Sequence, residues 1–164
     1  MMKGLNFEEL NKFLGKATLA TYAGGGPEMD PEIPGFKELE YREGDWYYRD
    51  SYCGFFQSWG REVVWYKGKP AWNSLYGGGM KEKCRTDTEF EHRTFEFLKK
   101  ALSTGEKKET FQPRGPKELF DGDWKYICHW KGDITNFNGN EEIRYKGETV
   151  FTHHFFGGLV EWKD

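Results

Sequence analysis

Apolar positions along this chain follow two patterns, and each pattern occurs twice. From Asn6, the residues Phe7, Leu10, Phe13 and Leu14 recur at three- and four-residue spacing, which marks one face of a helix. Asn6 can cap it, Glu9 three residues on completes a capping box, and Gly15 reads as the stop. The arrangement returns with Thr86 and Glu89, then Phe90, Phe97, Leu98, Ala101 and Leu102 on one stripe with Phe95 beside it, ending at Gly105. After each helix the period shortens to two. Short aromatic and β-branched runs predict strands near 17–23, 36–42, 45–53, 60–66 and 70–76, and again near 116–120, 123–130, 140–145 and 149–156. Segments 24–34 and 105–116 read as loops. The expected fold class is α+β, a helix followed by an antiparallel β-meander, written twice.

The halves share short words as well as patterns. Lys37-Glu38-Leu39 returns as Lys117-Glu118-Leu119, and Gly44-Asp45-Trp46 as Gly122-Asp123-Trp124. Tyr66-Lys67-Gly68 returns as Tyr145-Lys146-Gly147, and Tyr76-Gly77-Gly78 is matched by Phe156-Gly157-Gly158. The offsets are 80, 78, 79 and 80 residues, so order and spacing hold together. An internal duplication is expected, with repeats of about 1–80 and 81–164 sharing one domain.

Lys67-Gly68 and Lys146-Gly147 read as two-residue hairpin turns. A regular ladder from those turns sets Val64 against Ala71, Glu62 against Asn73 and Gly60 against Leu75. In the second copy it sets Ile143 against Val150, Glu141 against Thr152 and Gly139 against His154. Val63, Trp65 and Trp72 then take the opposite face, as do Glu142, Arg144 and Phe151. Glu62 and Glu141 would thus sit at equivalent places near the mouth of the core, where a carboxylate needs a partner. A slip of one residue would exchange the faces.

Composition narrows the function. Hydrophobic residues make up 37% of the chain, yet aromatics reach 18%, so the core must be built largely from rings. A net charge of −3 excludes a strongly basic nucleic-acid footprint, and no segment is apolar enough to span a bilayer. No signal peptide is evident, and Cys53, Cys84 and Cys128 lack CxxC spacing. The expectation is a cytoplasmic protein with reduced thiols and neither membrane nor direct nucleic-acid partners.

Candidate chemistry is sparse. The glycine runs at 21–28 and 76–80 lack the context of a phosphate-binding loop. His153-His154 and Cys128-His129 offer one ligand per face at most, so neither a metal site nor a cofactor is expected. Asp50, Glu62 and Glu141 are the carboxylates able to do acid–base work, and Glu62 with Glu141 could form a hydrolase-type pair. The ring-rich set holds Tyr22, Trp46, Tyr48, Tyr52, Trp59, Trp65, Trp72 and Tyr76, which could wall a pocket or simply fill a core.

The blocks "ATYAGGG", "LEYREGDWYYRDSYCGFFQSWGREVVWYKGKPAW", "YGGG", "RGPKE" and "GDITNFNGNEEIRYKGETVFTHHFFGGLV" resemble an uncharacterised prokaryotic domain-of-unknown-function family. The likeness runs from Phe7 to Val160. Members of that family stand alone or follow helix-turn-helix regulators as C-terminal partners, which implies a sensor that binds a small effector. The chain has no room for a helix-turn-helix before Phe7, so direct DNA binding is not expected. The reading that results is a small-molecule-binding domain with a cleft between the repeats. Its polar contacts would be Glu62, Asn73, Glu141 and His154, with Tyr22, Tyr52, Trp72 and Tyr76 as ring walls. A hydrolase and a dimerisation module, the latter burying rings such as Trp59 or Trp65 in a homodimer, stay open as alternatives.

Overall fold

The computed structural model describes residues 4–104 and 110–163. Two helices, α1 (Phe7–Ala20) and α2 (Thr88–Ser103), pack on one face of an eight-stranded sheet. The strands are β1 (Lys37–Glu43), β2 (Trp46–Gly54), β3 (Gln57–Tyr66), β4 (Lys69–Met80), β5 (Glu118–Asp121), β6 (Trp124–Asp133), β7 (Asn136–Tyr145) and β8 (Glu148–Leu159). They lie in the order β1-β2-β3-β4-β8-β7-β6-β5, with every neighbouring pair antiparallel. The order reads the same way outward from the centre, where β4 meets β8. The fold is therefore α+β, as the pattern predicts.

Several local expectations change. The segment 17–23 is not a strand, because α1 runs through Gly15 to Ala20. Ala17 continues the stripe of Leu10 and Phe13 and is fully buried, and that packing outweighs the roughly 1 kcal/mol a helical glycine costs. Asn6 caps α1 as expected, its Oδ1 accepting from the Glu8 and Glu9 amides at 2.9 and 3.2 Å. For α2 the cap is Asp87 rather than Thr86, accepting from the Glu89 and Phe90 amides at 3.0 and 3.1 Å. Gly105, the expected end of that helix, lies outside the described residues.

The core is a set of stacked rings under the helices. Phe13 of α1 stacks on Trp46 at 5.5 Å, and Phe90 of α2 stacks on Trp124 at 5.4 Å. Trp46 and Trp124 in turn lie against Tyr66 and Tyr145. Among the described residues no helix covers the outer face, and there Trp59 is 62% exposed while Trp65 is half-buried against Tyr47.

Both Lys-Gly turns adopt positive φ at both residues, 52° and 77° in the first and 50° and 84° in the second. That is the mirror-image turn whose twist suits a hairpin. One step farther on, each ladder slips. Trp65 pairs with Pro70 but Val64 pairs with Trp72, so Ala71 is an extra residue; in the second hairpin Val150 plays the same part. These bulges overturn the regular register. Glu62 opposes Ser74 and not Asn73, and Glu141 opposes His153 and not Thr152. Trp72 and Phe151 move onto the glutamate face, while Asn73 and His154 move off it.

Candidate functional site

The inward face of the central strands carries an unusual amount of polarity for a core. Asp50, Glu62 and Ser74 form one row across β2, β3 and β4. His153, Glu141 and Cys128 form another across β8, β7 and β6. Each glutamate has a tyrosine on its neighbouring strand. The Tyr48 hydroxyl donates to Glu62 Oε1 at 2.9 Å, and the Tyr126 hydroxyl donates to Glu141 Oε2 at 2.5 Å. Tyr48 and Tyr126 hold equivalent places in the two hairpin series, as do Glu62 and Glu141.

Arg114 joins the two rows. It lies just ahead of β5, and its side chain is only 8% exposed. Its Nε donates to Glu141 Oε1 at 3.0 Å, and its Nη1 lies 4.0 Å from Glu62 Oε1. The guanidinium carbon also sits 4.8 Å from the centre of the Tyr76 ring. Tyr76 donates in turn to Asp50 Oδ1 at 2.8 Å.

Burial by itself would raise the Glu141 carboxyl. The Arg114 charge and the bonds from His153 and Tyr126 overturn that and hold it at about 2. Glu141 is thus a carboxylate at neutral pH, an acceptor only. Its contact to His153 Nδ1, at 3.2 Å, must then be a bond that the ring donates. Burial, partly opposed by Glu141, lowers His153 below the ordinary imidazole range, so the ring is neutral at pH 7. A neutral ring with its proton on Nδ1 keeps a lone pair on Nε2. That Nε2 is buried and has no hydrogen-bond partner. Asp50 behaves oppositely to Glu141: burial, then the Glu62 charge, push it up to about 7 against the Tyr76 bond and Arg114. Tyr48, Tyr76 and Tyr126 are raised well above their usual range, by burial first, and stay protonated donors.

Above these side chains lies a cavity of about 620 Å³ between α1, α2 and the sheet. Asp50, Glu62, Arg114 and His153 line its deep part, and Tyr22, Tyr52, Trp72 and Tyr76 supply ring walls. Phe95 of α2 and Phe111 close it from the other side. The volume falls in the range of small-molecule pockets, about 300–1,000 Å³. Gly60 makes room for the Tyr76 ring of its wall, since a Cβ there would meet Tyr76 Cζ at 2.3 Å.

Of the eight residues expected as ligand contacts, five line the cavity together: Glu62, Tyr22, Tyr52, Trp72 and Tyr76. Tyr22 meets Tyr52 edge-on at 6.3 Å, and Trp72 Nε1 donates to the Ile134 carbonyl at 3.1 Å. Glu141 lies beneath, fully buried, and acts through Arg114 and His153. Asn73 and His154 are corrected: both face the outer side of the sheet, Asn73 beside Val63 and Gly158, and His154 exposed beside Gly77 and Asn140. Sequence reasoning missed His153 and Arg114. His153 was hidden by the bulge, while Arg114 had a visible signal. At the 80-residue offset "RGPKEL" matches "PGFKEL", so an arginine stands where the first half has Pro34. Among the described residues, no group of three or more His, Cys, Asp or Glu side chains is placed to hold a metal ion. Nor is any described helix long and apolar enough to cross a membrane.

The fold and site define an α+β protein with a ring-walled cavity over a buried Arg–Glu–His–Tyr network. Residues 50–160, well over half the chain, match the domain of unknown function DUF5680, and the chain belongs to that family. The matched range contains Asp50, Glu62, Arg114, Glu141 and His153, the whole polar cluster. Comparison with curated proteins and with solved structures finds no match.

Proposed function

We propose that this protein is a small-molecule-binding, sensor-like domain, formed by duplication of one helix–meander unit, with its ligand enclosed between the helices and the central strands. One observation carries the reading. His153 Nε2 is buried, has no hydrogen-bond partner, and belongs to a side chain that lines a cavity of about 620 Å³. An unpaired buried acceptor costs about 1–3 kcal/mol, a cost that a bound donor removes. The duplication is supported by the four sequence offsets and by the matching Tyr–Glu pairs and bulged hairpins. The resemblance to partners of helix-turn-helix regulators favours sensing over catalysis, and cysteines without CxxC spacing suit a cytoplasmic setting.

The test is a thermal-shift screen of nucleotides, sugars, amines and aromatic metabolites, followed by nitrogen NMR of the histidine rings. A binder should raise Tm saturably by mass action and move the His153 Nε2 resonance. A hit that shifts Tm without touching that resonance would place the ligand elsewhere and sink this reading.

An acid–base enzyme is the second reading, favoured by the same histidine. With Glu141 fixing Nδ1–H, Nε2 is free to take a proton, as a general base must. Held at about 2, the Glu141 carboxyl is too firmly ionised to serve as the acid and too weak a base, which makes His153 the candidate base in its place. Hydrolysis or proton exchange that disappears in His153→Gln at unchanged Tm would favour this reading over simple binding.

A further inference from the structure

We infer that the cavity accepts a protonated amine on a flat apolar body, its N–H groups directed at the Asp50–Glu62 pair and at His153 Nε2; this rests on the ligand-binding reading above.

Three separate features converge on that chemistry. The first is charge. Asp50, Glu62 and Glu141 share one buried region with Arg114, whose guanidinium lies 3.0 Å from Glu141 and 4.0 Å from Glu62. Asp50 is in no ion pair among the described residues, and its one tyrosine bond is from Tyr76. The region thus holds three carboxyl groups to one guanidinium, and Asp50, pushed up toward neutrality, is the one that a nearby cation would ionise. Lysines at the rim do not redress it, because they are already paired: Lys12 with Glu8 at 2.6 Å, Lys16 with Glu43 at 2.6 Å, Lys37 with Glu28 at 2.8 Å and Lys99 with Glu96 at 3.1 Å.

The second is hydrogen-bonding capacity. Among the described residues, two side chains that line the cavity carry a buried atom without a partner, His153 Nε2 and Gln112 Oε1, both acceptors. His153 is 4% exposed, so its ring is withdrawn from bulk water. A ligand that completes these groups must bring donors. A carboxylate or phosphate would bring acceptors alone, leaving His153 Nε2 and Gln112 Oε1 unpaired, and would compete with Glu141 and Glu62 for Arg114. The third is the wall. Tyr22, Tyr52 and Trp72 line the cavity with rings that suit a flat apolar body, while the Tyr76 ring already carries the Arg114 guanidinium at 4.8 Å.

The experiment uses the full chain and four probes that share an indole skeleton: tryptamine, its alcohol analogue, its acetamide analogue and indole-acetic acid. Calorimetry and thermal shift are read on the wild type, Asp50→Asn and Glu62→Gln. Tryptamine should bind about ten-fold or more tighter than the alcohol and the amide, the size expected for a hydrogen bond to a charged partner. Each substitution should shrink that ratio while leaving the alcohol's affinity in place. The Tm of each unliganded variant reports whether it is folded. If the acid or the neutral probes bind as well as the amine, the amine inference is overturned and the pocket stands. If the amine preference persists unchanged in both variants, the assignment to Asp50 and Glu62 is wrong. If none of the four binds and the wider screen gives no hit, the pocket reading and the inference fall together.

Discussion

Arg114 Nε lies 3.0 Å from Glu141 Oε1, with both side chains withdrawn from solvent, and that pair ties the segment ahead of β5 to the middle of the sheet. Removing either partner strands the other charge. Arg114→Met is expected to cost about 3–5 kcal/mol, and the double change with Glu141→Leu to recover much of it. At roughly 2–4 °C per kcal/mol for a chain of this size, the single variant should lose on the order of 10 °C in Tm. The acid limb of stability should follow. Glu141 falls from 4.5 to about 2 on folding, so its contribution is present above pH 4.5 and is lost as pH drops toward 2. Arg114→Met should flatten that limb in urea unfolding measured between pH 2 and 5. A variant as stable and as acid-sensitive as the wild type would contradict the pairing.

Asp50 should act in the opposite sense. Its carboxyl rises from 3.8 to about 7 on folding, so the folded state holds a proton that the unfolded chain has released. Its contribution is most favourable below pH 3.8 and declines as pH rises through 7. Asp50→Asn removes this dependence and keeps an acceptor for Tyr76. The variant should therefore gain on the wild type steadily from pH 4 to 8, by at most about 4 kcal/mol. Parallel urea midpoints for the two proteins across that range would disprove it.

Lys67 and Lys146 stand at φ of 52° and 50°, a region that favours asparagine or glycine over lysine. Lys67→Asn and Lys146→Asn should each stabilise the protein by about 0.5–1 kcal/mol. Their effects should add within about 0.5 kcal/mol, because the turns close separate hairpins. Denaturant unfolding of the singles and the double checks both statements.

Gly60 lies under the Tyr76 ring, where a Cβ would approach Cζ to 2.3 Å. Gly60→Ala should cost about 1–3 kcal/mol by pushing the ring from Asp50. In a Tyr76→Ala background the same change should cost clearly less, with only the Tyr52 Cβ contact at 2.8 Å left to relieve. A double-mutant cycle by urea unfolding measures that coupling, and an additive result would remove the steric account.

Much of this was legible in order rather than in contact. The repeated Gly-Asp-Trp and Tyr-Lys-Gly words mark equivalent turns, and in both hairpins the turn lysine amide bonds to the carbonyl of the equivalent aspartate, Asp45 at 2.8 Å or Asp123 at 2.9 Å. Glu62 and Glu141 could be placed on one face because side chains alternate along a strand. Their partners could not. A bulge of one residue after each turn changes the parity of β4 and β8, which exchanged Asn73 for Ser74 and His154 for His153. Strand alternation propagates such a slip down the whole ladder.

The sequence by itself determined the order of helices and strands, the ring-rich core and the matching places of the two glutamates, because these depend on local periodicity and turn chemistry; the end of α1, read as a strand at 17–23, was set by packing. Tertiary structure decided the rest. Arg114 reaches Glu141, 27 residues away, and approaches Glu62, and α1 and α2 enclose a cavity over Asp50 and His153. Those relationships depend on β4 meeting β8 at the centre of the sheet, a pairing between distant segments that no local pattern encodes. Burial then separates the carboxyls: Glu141 stays charged beside a buried cation, while Asp50, with no such contact, is pushed toward neutrality.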